Sequence, residues 1–154
     1  MANVAARWGS LVVFALLVLA AAWTGNQFRP GAWYEALNKP EFTPPNWAFP
    51  VAWTILYVLI AIAGWRVWLA SGFSSALKVW LAALALNATW SVLMFGQHEI
   101  GLALVDIYAL LAAISAFIVL AWNVDRPAAL MFVPYAVWVA FASILNLAVW
   151  QLNP

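Results

Sequence analysis

The chain has 154 residues, of which 68% are hydrophobic, 16% aromatic and only 7% charged. A soluble domain carries about 25% charged residues, so this chain lacks the polar surface to stand in water, and lipid is the solvent that suits it. Its formal net charge of +1 offers no basic patch for nucleic acid, and with no Cys it has no disulfide, thiolate metal site or Cys nucleophile.

A bilayer core needs about 20 apolar residues per helix. The first qualifying stretch runs from about Trp8 to Gln27. Arg7 followed by an apolar run and Ala20-Ala21-Ala22 has the outline of a secretory signal. Trp8 and Trp23 at its two ends instead resemble interface anchors, so it reads as a retained first helix. The connection from Thr24 to Asn46 follows. Pro30, Pro40, Pro44 and Pro45 prevent one continuous helix, while its centre, Ala32-Trp33-Tyr34-Glu35-Ala36-Leu37, suits a short one. Trp33, Tyr34, Phe42 and Trp47 make it too aromatic for disorder, and it reads as a folded lid.

The second span runs from about Trp47 to Leu69, the third from Ala76 to Phe95, the fourth from Ile100 to Trp122 and the fifth from Pro127 to Leu152. Their connections are short, so neighbours run antiparallel. Pro127 suits a helix first turn, and Pro134 predicts a kink. The expected architecture is all-α: a single domain, residues 1–154, built as an integral membrane bundle of five transmembrane helices with a lid between the first and second. Arg7, Arg66, Lys78 and Arg126 fall on one side and Arg29 and Lys39 on the other, which predicts a cytoplasmic N-terminus by the positive-inside rule. Which bacterial membrane hosts the chain is left open.

The 12 Trp divide into two groups. Trp8, Trp23, Trp47, Trp65, Trp68, Trp80, Trp122 and Trp150 lie near span ends, where the interface favours indole. Trp33, Trp53, Trp90 and Trp138 do not. Helix direction and a rise of about 1.5 Å per residue bring Trp53, Trp90 and Trp138 to mid-depth or above, beneath the lid. Asn87, Asp106 and Asn146 gather there too. Trp53 and Tyr57 share a helix face, as do Asn87 and Trp90. Such a set suits a flat apolar ligand, held by stacking and burial. Its competing explanation is plain core packing. Asp106 is either functional, as an acid inside a span usually is, or a tie between helices; Asn87 and Asn146 suit interhelical hydrogen bonding. His98 has no acids or thiols beside it that would complete a metal site, and none is expected. Small residues that would let helices approach closely are Ala82, Ala83 and Ala85 on the third span, and Ala109, Ala112, Ala113 and Ala116 on the fourth.

Several segments carry a family resemblance. Trp33-Tyr34-Glu35-Ala36-Leu37-Asn38-Lys39-Pro40, the run from Pro44-Pro45-Asn46-Trp47 through Trp53-Thr54-Ile55-Leu56-Tyr57, Asn87-Ala88-Thr89-Trp90, Ala103-Leu104-Val105-Asp106, and Pro134 to Ala142 with Leu145-Asn146 resemble the TspO/MBR family. These are the tryptophan-rich sensory and translocator proteins. The resemblance covers nearly the whole chain and implies a five-helix bundle, a homodimer seated on the third span, and a pocket under the first loop. The implied ligands are porphyrin or haem-type tetrapyrroles and related hydrophobic molecules, with no cofactor required. Carried over position by position, the implied ligand-binding residues are Trp33, Tyr34, Pro44, Phe49, Trp53, Asn87, Trp90, Trp138, Ala142 and Leu145, with Asp106 and Asn146 as possible polar contacts. Trp53 and Trp138 match positions linked in the family to light- and oxygen-dependent porphyrin breakdown, so receptor, enzyme and transporter readings all stand. Animal members end the last span with a cholesterol motif of Tyr followed by Lys or Arg. Here no Tyr occurs from Leu145 to Pro154 and no Lys or Arg follows Arg126. The reversed pattern Arg29, Tyr34, Leu37 is present, but such patterns are weak.

Overall fold

A computed structural model describes residues 3–154. Helix α1 spans Val4–Gln27, and the short α2 spans Ala32–Ala36. Next come α3 (Ala48–Ser71) and α4 (Ser75–Ser91). A π-helical turn, Val92–Gly96, extends α4, and α5 (Ile100–Trp122) and α6 (Arg126–Leu152) complete the chain. The five long helices, with the turn counted into α4, have 22 to 27 residues. At about 1.5 Å per residue each is long enough for a hydrocarbon core of about 30 Å. The protein is an all-helical integral membrane protein.

Burial follows the membrane rule. Val12, Val13, Leu16, Val51, Ile55, Val58, Val105, Val119, Val137 and Ile144 all point outward, which is stable only against lipid. Trp8, Trp23, Trp47, Trp68, Trp122 and Trp150 are exposed near helix ends, as an aromatic belt requires. Trp80 departs from the belt reading. It is 0% exposed and donates its indole N–H to the Ile60 carbonyl at 2.9 Å. The reason is Gly64, which presents a bare Cα where any Cβ would fall 2.4 Å from the Trp80 ring. Trp65 is half-buried, stacked on Trp8 at 5.9 Å.

Helix ends follow local chemistry. Gly72 takes φ +61 after α3, and its N–H closes on the Trp68 carbonyl, a positive-φ conformation that glycine adopts without a Cβ clash. Asp125 caps α6 by accepting from the Ala128 N–H at 2.8 Å, with Pro127 in the first turn. α6 continues as helix through Pro134. α1 begins four residues earlier than Trp8, at Val4, and Asn3 caps it. The π-turn was not expected. Its Gln97 N–H reaches the Val92 carbonyl, and His98 follows in the left-handed region at φ 59.

The connection between α1 and α3 packs onto the ends of the bundle. Trp33, Tyr34 and Leu37 lie against a cluster built from Met94, Ala103 and Val149. Asn38 N–H donates to Asn153 Oδ1 at 3.0 Å, and Asn153 Nδ2 returns a bond to the Asn38 carbonyl at 2.9 Å. These bonds join the connection to the end of α6.

Candidate functional site

The aromatic residues singled out from the sequence fall into two groups. The first centres on Trp53 of α3. Its ring stacks on Tyr57 at 5.4 Å and meets Tyr135 and Trp138 of α6 edge-on at 6.2 and 6.5 Å. Phe49 meets Trp138 at 5.9 Å, and Phe42 from the connection meets Phe141 at 6.4 Å. The i, i+4 pairs Phe49–Trp53 and Trp53–Tyr57 place three rings along one face of α3. The antiparallel α6 supplies Tyr135, Trp138 and Phe141 opposite them.

The two phenols in this group are tied together through an amide. Tyr57 Oη donates to Asn87 Oδ1 at 3.1 Å, and Asn87 Nδ2 donates to Tyr135 Oη at 3.0 Å. One amide from α4 thereby joins α3 to α6, an effective tie where no water competes. Tyr135 was not singled out as a site residue from the sequence, yet it is the fully buried hub of the cluster. The available signal was a tyrosine inside a span, because a buried phenol must find a partner.

The second group lies toward the connection. Trp33 stacks on His98 at 4.0 Å and 11°. Tyr34 meets Phe95 edge-on at 5.4 Å, as does Trp90. Lys39 Nζ sits 4.8 Å over the Tyr34 ring, and burial pushes the Tyr34 phenol above its usual 10.0, so it stays neutral. Trp90 Nε1 donates to Asn146 Oδ1 at 3.0 Å, and Asn146 Nδ2 donates to the Ile100 carbonyl at 3.2 Å. Of the remaining residues, Leu145 is buried, Ala142 is half-buried against the main core, and Pro44 is half-buried in the connection. Asp106 is buried on α5. The residues singled out from the sequence are thus split. Phe49, Trp53, Asn87 and Trp138 share one cluster, while Trp33, Tyr34, Trp90 and Asn146 share the other. Two shallow grooves of about 290 Å³ each lie elsewhere, one lined by Ile118, Val119, Trp122 and Asn123, the other between α1 and α4.

A five-span, tryptophan-rich helical membrane protein with a ring cluster between its second and fifth spans defines the class. The family follows from sequence: the TspO/MBR profile matches residues 11–151, and the chain belongs to the TspO/MBR family. It is 42% identical to "Protein CrtK" of Rhodobacter capsulatus, covering 94% of this chain and 95% of that one. It is 36% identical to a tryptophan-rich sensory protein of Cereibacter sphaeroides, over 95% and 92% of the two chains. It is also 36% identical to the translocator protein of Bos taurus, over 95% and 91%. The protein is therefore a membrane protein of the sensor and translocator type.

Proposed function

We propose that the protein is a membrane receptor or sensor that binds porphyrin or haem-type tetrapyrroles, and related flat hydrophobic ligands, between α3 and α6. The convergence of Phe49, Trp53, Tyr57, Tyr135 and Trp138 carries this reading. A flat macrocycle exchanges ring–ring contacts for ring–ligand stacks, and burial of its apolar faces supplies the affinity. The segment from Arg29 to Asn46 acts as the lid: Phe42 rests on Phe141, and the Asn38–Asn153 bonds hold its far end. The ligand is cargo or signal, and no resident cofactor is needed. The protein works as a homodimer, with the N-terminus on the cytoplasmic side.

Titration of purified protein with protoporphyrin IX, followed by tryptophan quenching, tests the site. Trp53→Ala and Trp138→Ala each remove a stacking wall and are expected to weaken binding about tenfold or more, since a ring contact contributes on the order of 1 kcal/mol beyond its area. Wild-type affinity in both variants overturns the assignment.

The 6.5 Å contact between Trp53 and Trp138 favours a second reading, in which an illuminated porphyrin oxidises one indole and is degraded in the presence of oxygen. Product yield in light should then fall in Trp53→Phe while binding persists. A yield no greater than that with free tryptophan removes this reading.

A further inference from the structure

Charge divides unevenly between the two ends of the bundle. At the lid end, Glu35, Glu41 and Glu99 outnumber Arg29 and Lys39. Both of those cations are occupied. Arg29 Nε donates to the Asn26 carbonyl at 2.9 Å, and Lys39 Nζ donates to the Glu35 and Leu37 carbonyls at 3.1 and 3.2 Å. The opposite end carries Arg7, Arg66, Lys78 and Arg126 against a single carboxylate, Asp125. Arg66 already holds that carboxylate, in the one ion pair among the described residues. The Arg126 and Lys78 side chains are exposed and lie over rings instead, Arg126 5.3 Å from the Trp122 centroid and Lys78 5.5 Å from that of Phe73.

Arg126 is joined to a groove through its ring. Trp122 is one wall of the shallow groove of about 290 Å³ on α5, with Ile118, Val119 and Asn123. Because α5 ends at Trp122, the groove runs inward from the helix end, over roughly 7 Å at about 1.5 Å per residue. Its inner part is aliphatic, from Ile118 and the outward-facing Val119. Its outer part has the Trp122 indole and the Asn123 amide, with the Arg126 guanidinium over the indole. Orientation of the chain in the bilayer accounts for cations at this end. It does not account for a guanidinium placed on the wall of an apolar groove. Hydrocarbon, then an amide, then a cation is the complement of an acyl chain, an ester and a phosphate.

We propose that this groove binds one anionic phospholipid, with an acyl chain along Ile118 and Val119 and the phosphate on Arg126 and Asn123. A cation over a ring is held by the ring's quadrupole, which leaves the five N–H donors of the guanidinium for a phosphate, two of them in parallel. The Asn123 amide adds a donor. A zwitterionic headgroup brings its own ammonium, which the surplus of cations at this end repels. A headgroup of net negative charge does not, and one such Arg near the membrane surface favours it about fivefold. The inference stands apart from the tetrapyrrole reading, since none of these residues belongs to the ring cluster between α3 and α6.

The test is native mass spectrometry of the delipidated full chain in detergent. The protein is offered equal amounts of phosphatidylglycerol and phosphatidylcholine with matched acyl chains. Wild type is expected to take phosphatidylglycerol as its first lipid about fivefold more often. Arg126→Gln should bring the two lipids close to parity, and Arg126→Lys, which keeps the charge but not the fork, should retain part of the preference. Arg29→Gln, at the lid end, should leave it unchanged. Glycerol phosphate in large excess should not displace the lipid, because it has no chain for the groove. Val119→Cys should form no covalent dimer on oxidation in bilayers. Equal uptake of both lipids by wild type, or a preference that survives Arg126→Gln, overturns the inference. So does a loss in Lys78→Gln as large as in Arg126→Gln, which would mark diffuse attraction to the whole end. Displacement by glycerol phosphate would reassign the site to a soluble anion, and a Val119→Cys dimer would seat a second copy there; either result overturns the lipid.

Discussion

Of the glycines, Gly64 has the closest neighbour, the ring of Trp80. The indole lies on the bare face of Gly64, donates to Ile60, and takes the edge of Phe14 at 5.2 Å. A methyl group at position 64 would fall 2.4 Å from Cε2 of the ring, well inside contact distance. Gly64→Ala is therefore expected to push Trp80 from its notch and break the bond to Ile60. Overpacking of this kind costs about 1–3 kcal/mol, read as a lower unfolding temperature in detergent; a wild-type temperature counts against the notch. The pair also marks a boundary of what sequence can tell. Trp80 stands six residues into α4, where distance from the helix end suggests the interface. Its inward direction depends on a glycine in another helix. Trp53 and Tyr57, four apart on one helix, were legible as a pair, because helical spacing alone brings them together. Tyr135 was not legible as a hub, because its partners lie on α3 and α4, and only the packing of three helices brings them together.

Arg66 and Asp125 act on elements rather than on single contacts. Arg66 near the end of α3 bonds Asp125 through Nε at 2.9 Å and through a terminal nitrogen at 3.0 Å. The same carboxylate caps α6 through Ala128, so one side chain fixes the α5–α6 turn against α3. Burial pushes the Asp125 carboxyl up, but the Arg66 hydrogen bonds, the Ala128 N–H and the Arg66 charge outweigh it and hold it below its usual 3.8. A depressed carboxylate contributes stability that is complete above its unfolded value and is lost as pH falls through the folded one. Asp125→Asn should thus cost about 1 kcal/mol at neutral pH, a modest figure because Arg66 is 36% exposed and its charge is screened. Thermal unfolding should also depend less on acid in the variant than in wild type below about pH 4; an unchanged acid profile would show that the bridge contributes nothing. Element boundaries themselves were largely legible, because runs of apolar residues stop at polar connections such as Gln97-His98-Glu99. The π-turn was hidden, since Val92-Leu93-Met94-Phe95 continues the apolar run and only the backbone pairing reveals the wider turn.

At the scale of the whole molecule, the proposed homodimer needs an outer face that can meet a second copy. The family resemblance implies the third span as the seam, while the small residues alone leave the third and fourth both open; the third span's alanines do not point the same way. Ala83 is buried inside the bundle, whereas Ala82, Ala85 and Thr89 of α4 face outward along one stripe. Small residues allow backbones to approach closely where dispersion and not water drives association. Ala85 also lines the shallow groove between α1 and α4, together with Leu17, Ala20 and Ala88. None of these residues belongs to the ring cluster between α3 and α6, so a partner seated there leaves the proposed ligand site intact. The chain has no native Cys, which makes single-Cys crosslinking clean. Ala82→Cys and Ala85→Cys should form covalent dimers on oxidation in bilayers, and Ala83→Cys should not. Porphyrin titration of the crosslinked Ala85→Cys dimer should match that of the uncrosslinked protein. Crosslinking through Ala112→Cys on α5, with none through α4, would move the seam to the other small-residue face. Absence of crosslinks at every position would indicate a monomer, and the ligand site would then have to work within one chain.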